Sequence, residues 1–80
     1  MKKIFITGGS GTIGTSFIKK YYNKYHFFSY SRNEKMQVSL KRNFDKVEII
    51  LGAVEDKLNL SRSIAKIHPD IIIHAAALKH

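Results

Sequence analysis

Four of the chain's five glycines, Gly8, Gly9, Gly11 and Gly14, are packed into the segment Thr7-Gly8-Gly9-Ser10-Gly11-Thr12-Ile13-Gly14. Before them runs a short apolar stretch, Lys3-Ile-Phe-Ile-Thr7. After them Ile13, Phe17, Tyr21 and Tyr25 recur every fourth residue, with Ile18 and Tyr22 beside them, which predicts a helix with one broad apolar face up to about Tyr25. The reading is strand, glycine turn, helix. Glycines at such a turn permit a sharp change of direction, admit a phosphate against the backbone, and let the helix pack closely on the strand.

The same alternation continues. His26 to Ser31 is short and aromatic, as a second strand would be, and Asn33 can cap a brief helix through Leu40. Val47 to Leu51 is a third apolar run closed by Gly52, and Asp56 can cap a helix whose inner face carries Leu60, Ile64 and Ile67. Pro69 cannot continue that helix, so the chain turns and enters Ile71 to His74 as a fourth strand. Apolar strands alternating with helices define an α/β fold, a Rossmann-type doubly wound parallel sheet, and right-handed crossovers give the strand order 3-2-1-4. The fourth strand should be internal, with neighbours on both sides. The chain stops at His80 just as another crossover is due, so residues 1–80 read as the N-terminal part of an NAD(P)-binding domain, with the rest of that domain and a substrate domain elsewhere.

Composition removes several other classes. A hydrophobic share of 44% with 25% charged residues is that of a folded globular protein. Without cysteine there is neither a disulfide framework nor a thiolate metal site, which favours a cytoplasmic setting. The apolar runs near Met1 and from Ile71 to Leu78 are too short for a signal peptide core or for the roughly 20 residues of a membrane span. The net charge of +8 favours anionic partners. Its lysines, however, are spread in pairs (Lys2 and Lys3, Lys19 and Lys20) and read as a solvated face more readily than as a polyanion surface.

The glycine turn sits where a strand meets a helix N-terminus, whose unpaired N–H groups and positive dipole end favour a pyrophosphate. A nucleoside triphosphate loop would need a lysine followed by Ser or Thr, and here Gly14 and Thr15 occupy those positions. At the end of the second strand, where a carboxylate usually grips a free ribose, the chain has Ser31-Arg32-Asn33 and no acid before Glu34. Arginine offers a planar fork of donors to phosphate oxygens, so the position favours NADP over NAD.

With these segments in view, the chain resembles the extended short-chain dehydrogenase/reductase family, in particular its bacterial polysaccharide-biosynthesis branch of UDP-N-acetylglucosamine 4,6-dehydratases and 4- or 5-epimerases. Ser31-Arg32-Asn33-Glu34-Lys35-Met36-Gln37 is similar to that branch's Ser-Arg-Asp-Glu-x-Lys-Gln, and Ala75-Ala76-Ala77-Leu78-Lys79-His80 matches its Ala-Ala-Ala-Leu-Lys-His run. The resemblance implies that Gly8, Gly11, Thr12, Ile13 and Gly14 line the pyrophosphate, and that Ser31, Arg32 and Asn33 hold the 2′-phosphate and ribose. It further implies that Ala53 and Val54 border the adenine, that Ala75, Ala76 and Ala77 pass close to the cofactor, and that Lys79 approaches the nicotinamide and sugar. Where the branch has Gly-Asp-Val-Arg-Asp this chain has Gly52-Ala53-Val54-Glu55-Asp56, which exchanges an acid for Ala53 and a base for Glu55.

The implied activity is NADP-dependent modification of a UDP-sugar by a homo-oligomeric enzyme. Its Tyr-x-x-x-Lys pair would lie beyond residue 80, leaving no catalytic residue in this stretch. Tyr21 and Tyr25 read as core residues, and His74, at a strand's carboxyl end without close metal-ligand companions, reads as structural. The alternative class is a non-catalytic NADP-binding protein or a basic nucleic-acid-associated module. Phe27, Phe28 and Tyr30 as a base-stacking platform fit poorly, because a parallel sheet would bury them.

Overall fold

A computed structural model describes residues 1–75. Its elements run β1 (Lys2–Thr7), α1 (Thr12–Tyr21), β2 (Tyr25–Ser31), α2 (Glu34–Asn43), β3 (Glu48–Leu51), α3 (Lys57–Ile67) and β4 (Ile71–His74). The strands form one parallel sheet in the order β3-β2-β1-β4, which is the predicted topology.

Register sorts the side chains into two faces. Ile4 pairs with Phe27 and with Ile71, and Ile6 with Ser29 and with Ile73, so these residues share one side. On that side Ile4, Ile6, Phe27, Ile18 of α1 and Leu40 of α2 form the main buried cluster, with Val47 and Ala75. Burying aliphatic and aromatic side chains of this size contributes about 1.5–3 kcal/mol each, and this burial does most to hold α1 and α2 to the sheet. The opposite face carries Phe5 and Tyr30, both wholly buried with ring centroids 5.6 Å apart. Here α3 lies across the sheet, its Asn59 bonded to Tyr30 and its last turn tied to β1 by the Lys3 ammonium on the Ile67 carbonyl at 3.0 Å.

The helix ends follow local chemistry. Asn33 caps α2 by accepting from the Met36 N–H at 3.1 Å, and Asp56 caps α3 by accepting from the Asn59 N–H at 3.1 Å. α3 stops at His68, which adopts φ 55° and donates its N–H to the Ile64 carbonyl before Pro69 turns the chain.

Several element boundaries differ from the sequence reading. α1 ends at Tyr21, not near Tyr25: the Lys24 N–H closes a turn on the Tyr21 carbonyl, and Tyr25 opens β2 opposite Lys2. The aromatic period survives this break because Tyr21 and Tyr25 still pack edge to face, centroids 6.0 Å apart, against the same core. α2 runs a turn beyond Leu40 to Asn43, held by the Phe44 N–H on the Leu40 carbonyl. Val47 is buried but precedes β3, and β4 pairs only with β1 among the described residues, leaving Ile71 and Ile72 exposed.

Candidate functional site

All four strands run the same way, so the loops after β1, β2 and β3 gather at one end of the sheet, where ligands of doubly wound folds bind. They enclose a cleft of about 730 Å³. Every described residue expected at the site lines it: Gly8, Gly11, Thr12, Ile13 and Gly14 from the turn; Ser31, Arg32 and Asn33 from the end of β2; Ala53 and Val54 after β3; and Ala75 after β4. Ala76, Ala77 and Lys79 lie outside the described residues.

Three close approaches shape the turn. Gly8 has φ 72°, a left-handed conformation that costs glycine nothing, and its N–H donates to the Tyr30 carbonyl at 2.9 Å. A methyl group on Gly14 would run into the Gly8 carbonyl and come within 2.6 Å of the Gly9 Cα, so the absent side chain sets how near α1 comes to the turn. One on Gly9 would meet the Ser29 hydroxyl and come within 2.8 Å of Ser29 Cβ.

The electrostatic consequence lies at the start of α1. α2 and α3 both begin on a side-chain cap, whereas the N-cap of α1 is Gly11, with no side-chain acceptor and no acid in the first turn. Helix N–H groups left without intrahelical partners carry the positive dipole end and favour an anion. Ile13, which the sequence places both at the site and at the head of the apolar face, is 47% exposed and lines the cleft, so the buried face of α1 begins with Gly14 and Ile18.

At the neighbouring strand end, Ser31 Oγ accepts from the Asn33 N–H at 3.3 Å and keeps its own proton to donate, while Asn33 Oδ1 is committed to the α2 cap. Arg32 is exposed and lines the cleft. β3 is held to this corner by the Gly52 N–H on the Ser31 carbonyl at 3.1 Å. The turn after β3 is fixed from beneath by Tyr30, whose hydroxyl donates to the Ala53 carbonyl at 2.8 Å and accepts from Asn59 Nδ2 at 3.1 Å.

Ser10, Tyr30, Met36, Gly52 and Glu55 also line the cleft. Each of these lies in or beside a segment that the sequence singles out, Ser10 in the glycine turn, Tyr30 and Met36 about the end of β2, and Gly52 and Glu55 after β3, but none was itself expected to line the site. Gln37 ends the family-like motif after β2 and carries no further signal of its own. It is wholly buried, its amide donating to the carbonyls of Ser29 (2.8 Å) and Ile50 (3.1 Å) and accepting from the Ser29 hydroxyl (2.7 Å). This one side chain ties α2 to β2 and β3 and holds Ser29 under the glycine turn.

His74 shares a 3.2 Å hydrogen bond with the Thr7 hydroxyl and joins the ends of β1 and β4, the structural role expected of it. No group of three His, Cys, Asp or Glu able to hold a metal exists among the described residues, nor is any described helix long and apolar enough to cross a membrane.

Sheet order, glycine turn and cleft place the chain among the Rossmann-type nucleotide-binding folds. More narrowly, it belongs to the polysaccharide biosynthesis protein family, within the extended short-chain dehydrogenase/reductases, and that family's model matches residues 4–80. It is similar to a UDP-N-acetylglucosamine 4,6-dehydratase (inverting) of Campylobacter jejuni, 36% identical over 84 residues that take in 99% of this chain and 25% of the relative. A Methanocaldococcus jannaschii protein named as an uncharacterized membrane protein is also 36% identical, over 83 residues, 99% of this chain and 24% of its own. The chain thus spans about a quarter of the length of the curated relatives it matches. Among solved structures, the Bordetella bronchiseptica enzyme WbmG in complex with NAD superposes with a TM-score of 0.79 over 91% of this chain and 24% of that one, a likeness of fold at 22% identity.

Proposed function

We propose that residues 1–80 are the cofactor-binding first part of an NADP-dependent nucleotide-sugar dehydratase or epimerase, with the remainder of the domain and the substrate domain contributed by further sequence. The observation that carries this reading is the meeting, in one cleft, of the uncapped start of α1 with Ser31 and Arg32. The fit to a pyrophosphate is physical: α1 begins without a side-chain cap or an acid in its first turn, and Gly14 lets it pack close against the glycine turn at the cleft. Arg32 and the Ser31 hydroxyl then supply donors for a 2′-phosphate, and Asn33 holds the loop through its cap.

The family membership and the dehydratase relative support a UDP-sugar as substrate. When bound, the nicotinamide supplies reversible hydride transfer at a sugar carbon. The part played by this chain would be to hold the adenosine end through Ser31 and Arg32 and the pyrophosphate through the glycine turn and the start of α1.

The test is calorimetric titration of the whole protein with NADP and with NAD, in the parent and in Arg32→Ala, at fixed ionic strength because surface charge attracts any phosphate. A hydrogen bond to a charged partner corresponds to a loss of roughly 10-fold to 150-fold in NADP affinity, with NAD affinity nearly unchanged. Equal weakening of both cofactors would refute the preference for NADP.

A further inference from the structure

We infer that Gln37, which does not itself line the cleft, is a positioning residue: with Ser29 it sets the spacing between the glycine turn and the Arg32 corner, so that a dinucleotide is gripped at two points at once. This rests on the dinucleotide reading above. The two anion-binding places belong to different segments. One is the turn after β1 with the start of α1, and the other is Ser31 to Asn33, between β2 and α2. A ligand that engages both gains affinity only as far as the protein holds them at the separation of its phosphates.

Both segments rest on Ser29. It shares a face of the sheet with Ile6, and Gly9 crosses it so closely that a methyl group there would meet the Ser29 hydroxyl and come within 2.8 Å of its Cβ. Next along β2, the Tyr30 carbonyl accepts from the Gly8 N–H at 2.9 Å, so the turn is seated on two consecutive residues of that strand. Gln37 approaches the same Ser29 from α2. Its amide donates to the Ser29 carbonyl at 2.8 Å and accepts from the Ser29 hydroxyl at 2.7 Å, while its backbone N–H donates to the Asn33 carbonyl at 3.0 Å. Arg32 therefore sits exposed on a loop whose two ends, Ser29 and Gln37, are bonded to each other beneath it. A further bond from the Gln37 amide to the Ile50 carbonyl at 3.1 Å ties that closure to β3. Ser29 and Gln37 are wholly buried, so water does not compete for these bonds, and an apolar side chain in place of Gln37 would fill the space but leave the base of the loop unpinned.

The experiment compares NADP, which reaches both places, with adenosine 2′-phosphate, which reaches only the Arg32 corner, by calorimetric titration of the whole protein in the parent, in Gln37→Met and in Ser29→Ala. Each variant should weaken NADP about tenfold or more while changing the affinity for adenosine 2′-phosphate by less than about twofold. The double variant should lose little beyond the worse single one, because the two side chains act through one contact. A purely structural role would not split the ligands in this way, since unfolding of part of the protein lowers the binding of both together. Ser29→Ala removes a single hydroxyl and carries the test by itself if Gln37→Met does not fold. Equal losses for the two ligands, or NADP affinity kept in a folded variant, would overturn the role given to Gln37 and Ser29. A parent that binds NADP but not adenosine 2′-phosphate would overturn the two-point grip, and with it this inference. Failure of the parent to bind NADP at all would overturn the dinucleotide reading itself.

Discussion

At the scale of single residues, the cleft depends in part on a group that does not line it. Gln37 satisfies two strand carbonyls and one hydroxyl in a fully buried position. Leaving such partners unpaired costs about 1–3 kcal/mol for each group, so Gln37→Leu should lower the unfolding free energy of the whole protein by about 2–3 kcal/mol in urea titrations. Gln37→Glu should be at least as damaging, because a carboxylate would face the Ser29 and Ile50 carbonyls without a donor. Gly14 makes a different prediction. In Gly14→Ala the new methyl must push α1 away from the Gly8–Gly9 backbone, so cofactor affinity should fall more than tenfold on calorimetric titration, a cost of at least about 1.4 kcal/mol. The glycine turn was legible in sequence because it stands between an apolar strand-like run and the start of a helical period, where the chain must turn sharply. Gln37 was not legible as a core residue, since a glutamine between Met36 and Val38 looks like helix surface until three strand partners are found around it.

Elements were legible wherever an apolar period coincided with a chemical stop signal. Asn33 and Asp56 start α2 and α3 where their capping chemistry predicted, and Pro69 follows the end of α3. The error at the end of α1 arose because Tyr21 and Tyr25 keep helical spacing across a turn, so periodicity alone could not separate a helix residue from the first residue of the next strand. Ile13 has two readings in the sequence, one at the site from the family-like turn and one on the apolar face from its spacing; it lines the cleft, because the approach of Gly14 to the turn starts the core one residue later, which hydrophobic spacing alone does not show. α3 is the least anchored helix, with no fully buried residue and with Leu58 62% exposed. Its last residue is followed by His68 in a left-handed conformation, which a side chain with a Cβ adopts at a cost of roughly 1 kcal/mol. His68→Gly should therefore raise the urea midpoint, by about 0.5–1 kcal/mol in unfolding free energy. An unchanged or lower midpoint would show that the imidazole itself contributes to holding this corner.

For the molecule as a whole, β4 presents an unpaired strand edge among the described residues, with Ile71 and Ile72 exposed beside it and Leu58 exposed on α3. An edge of this kind is a template for pairing with another chain. The eighty-residue chain prepared alone should therefore show concentration-dependent association in light scattering, and Ile72→Lys should reduce it. A monomer at all concentrations, with a cooperative urea transition, would contradict that expectation. The parallel sheet has one more consequence. Because each strand starts at the same rim, Met1, the Tyr22–Lys24 turn and the Phe44–Val47 turn all lie at the end opposite the cleft. That rim is a handle: a fluorescent dye, an affinity tag or a surface tether attached at Met1 leaves the mouth of the cleft unobstructed, so the protein can be immobilised and its ligands delivered from the other side.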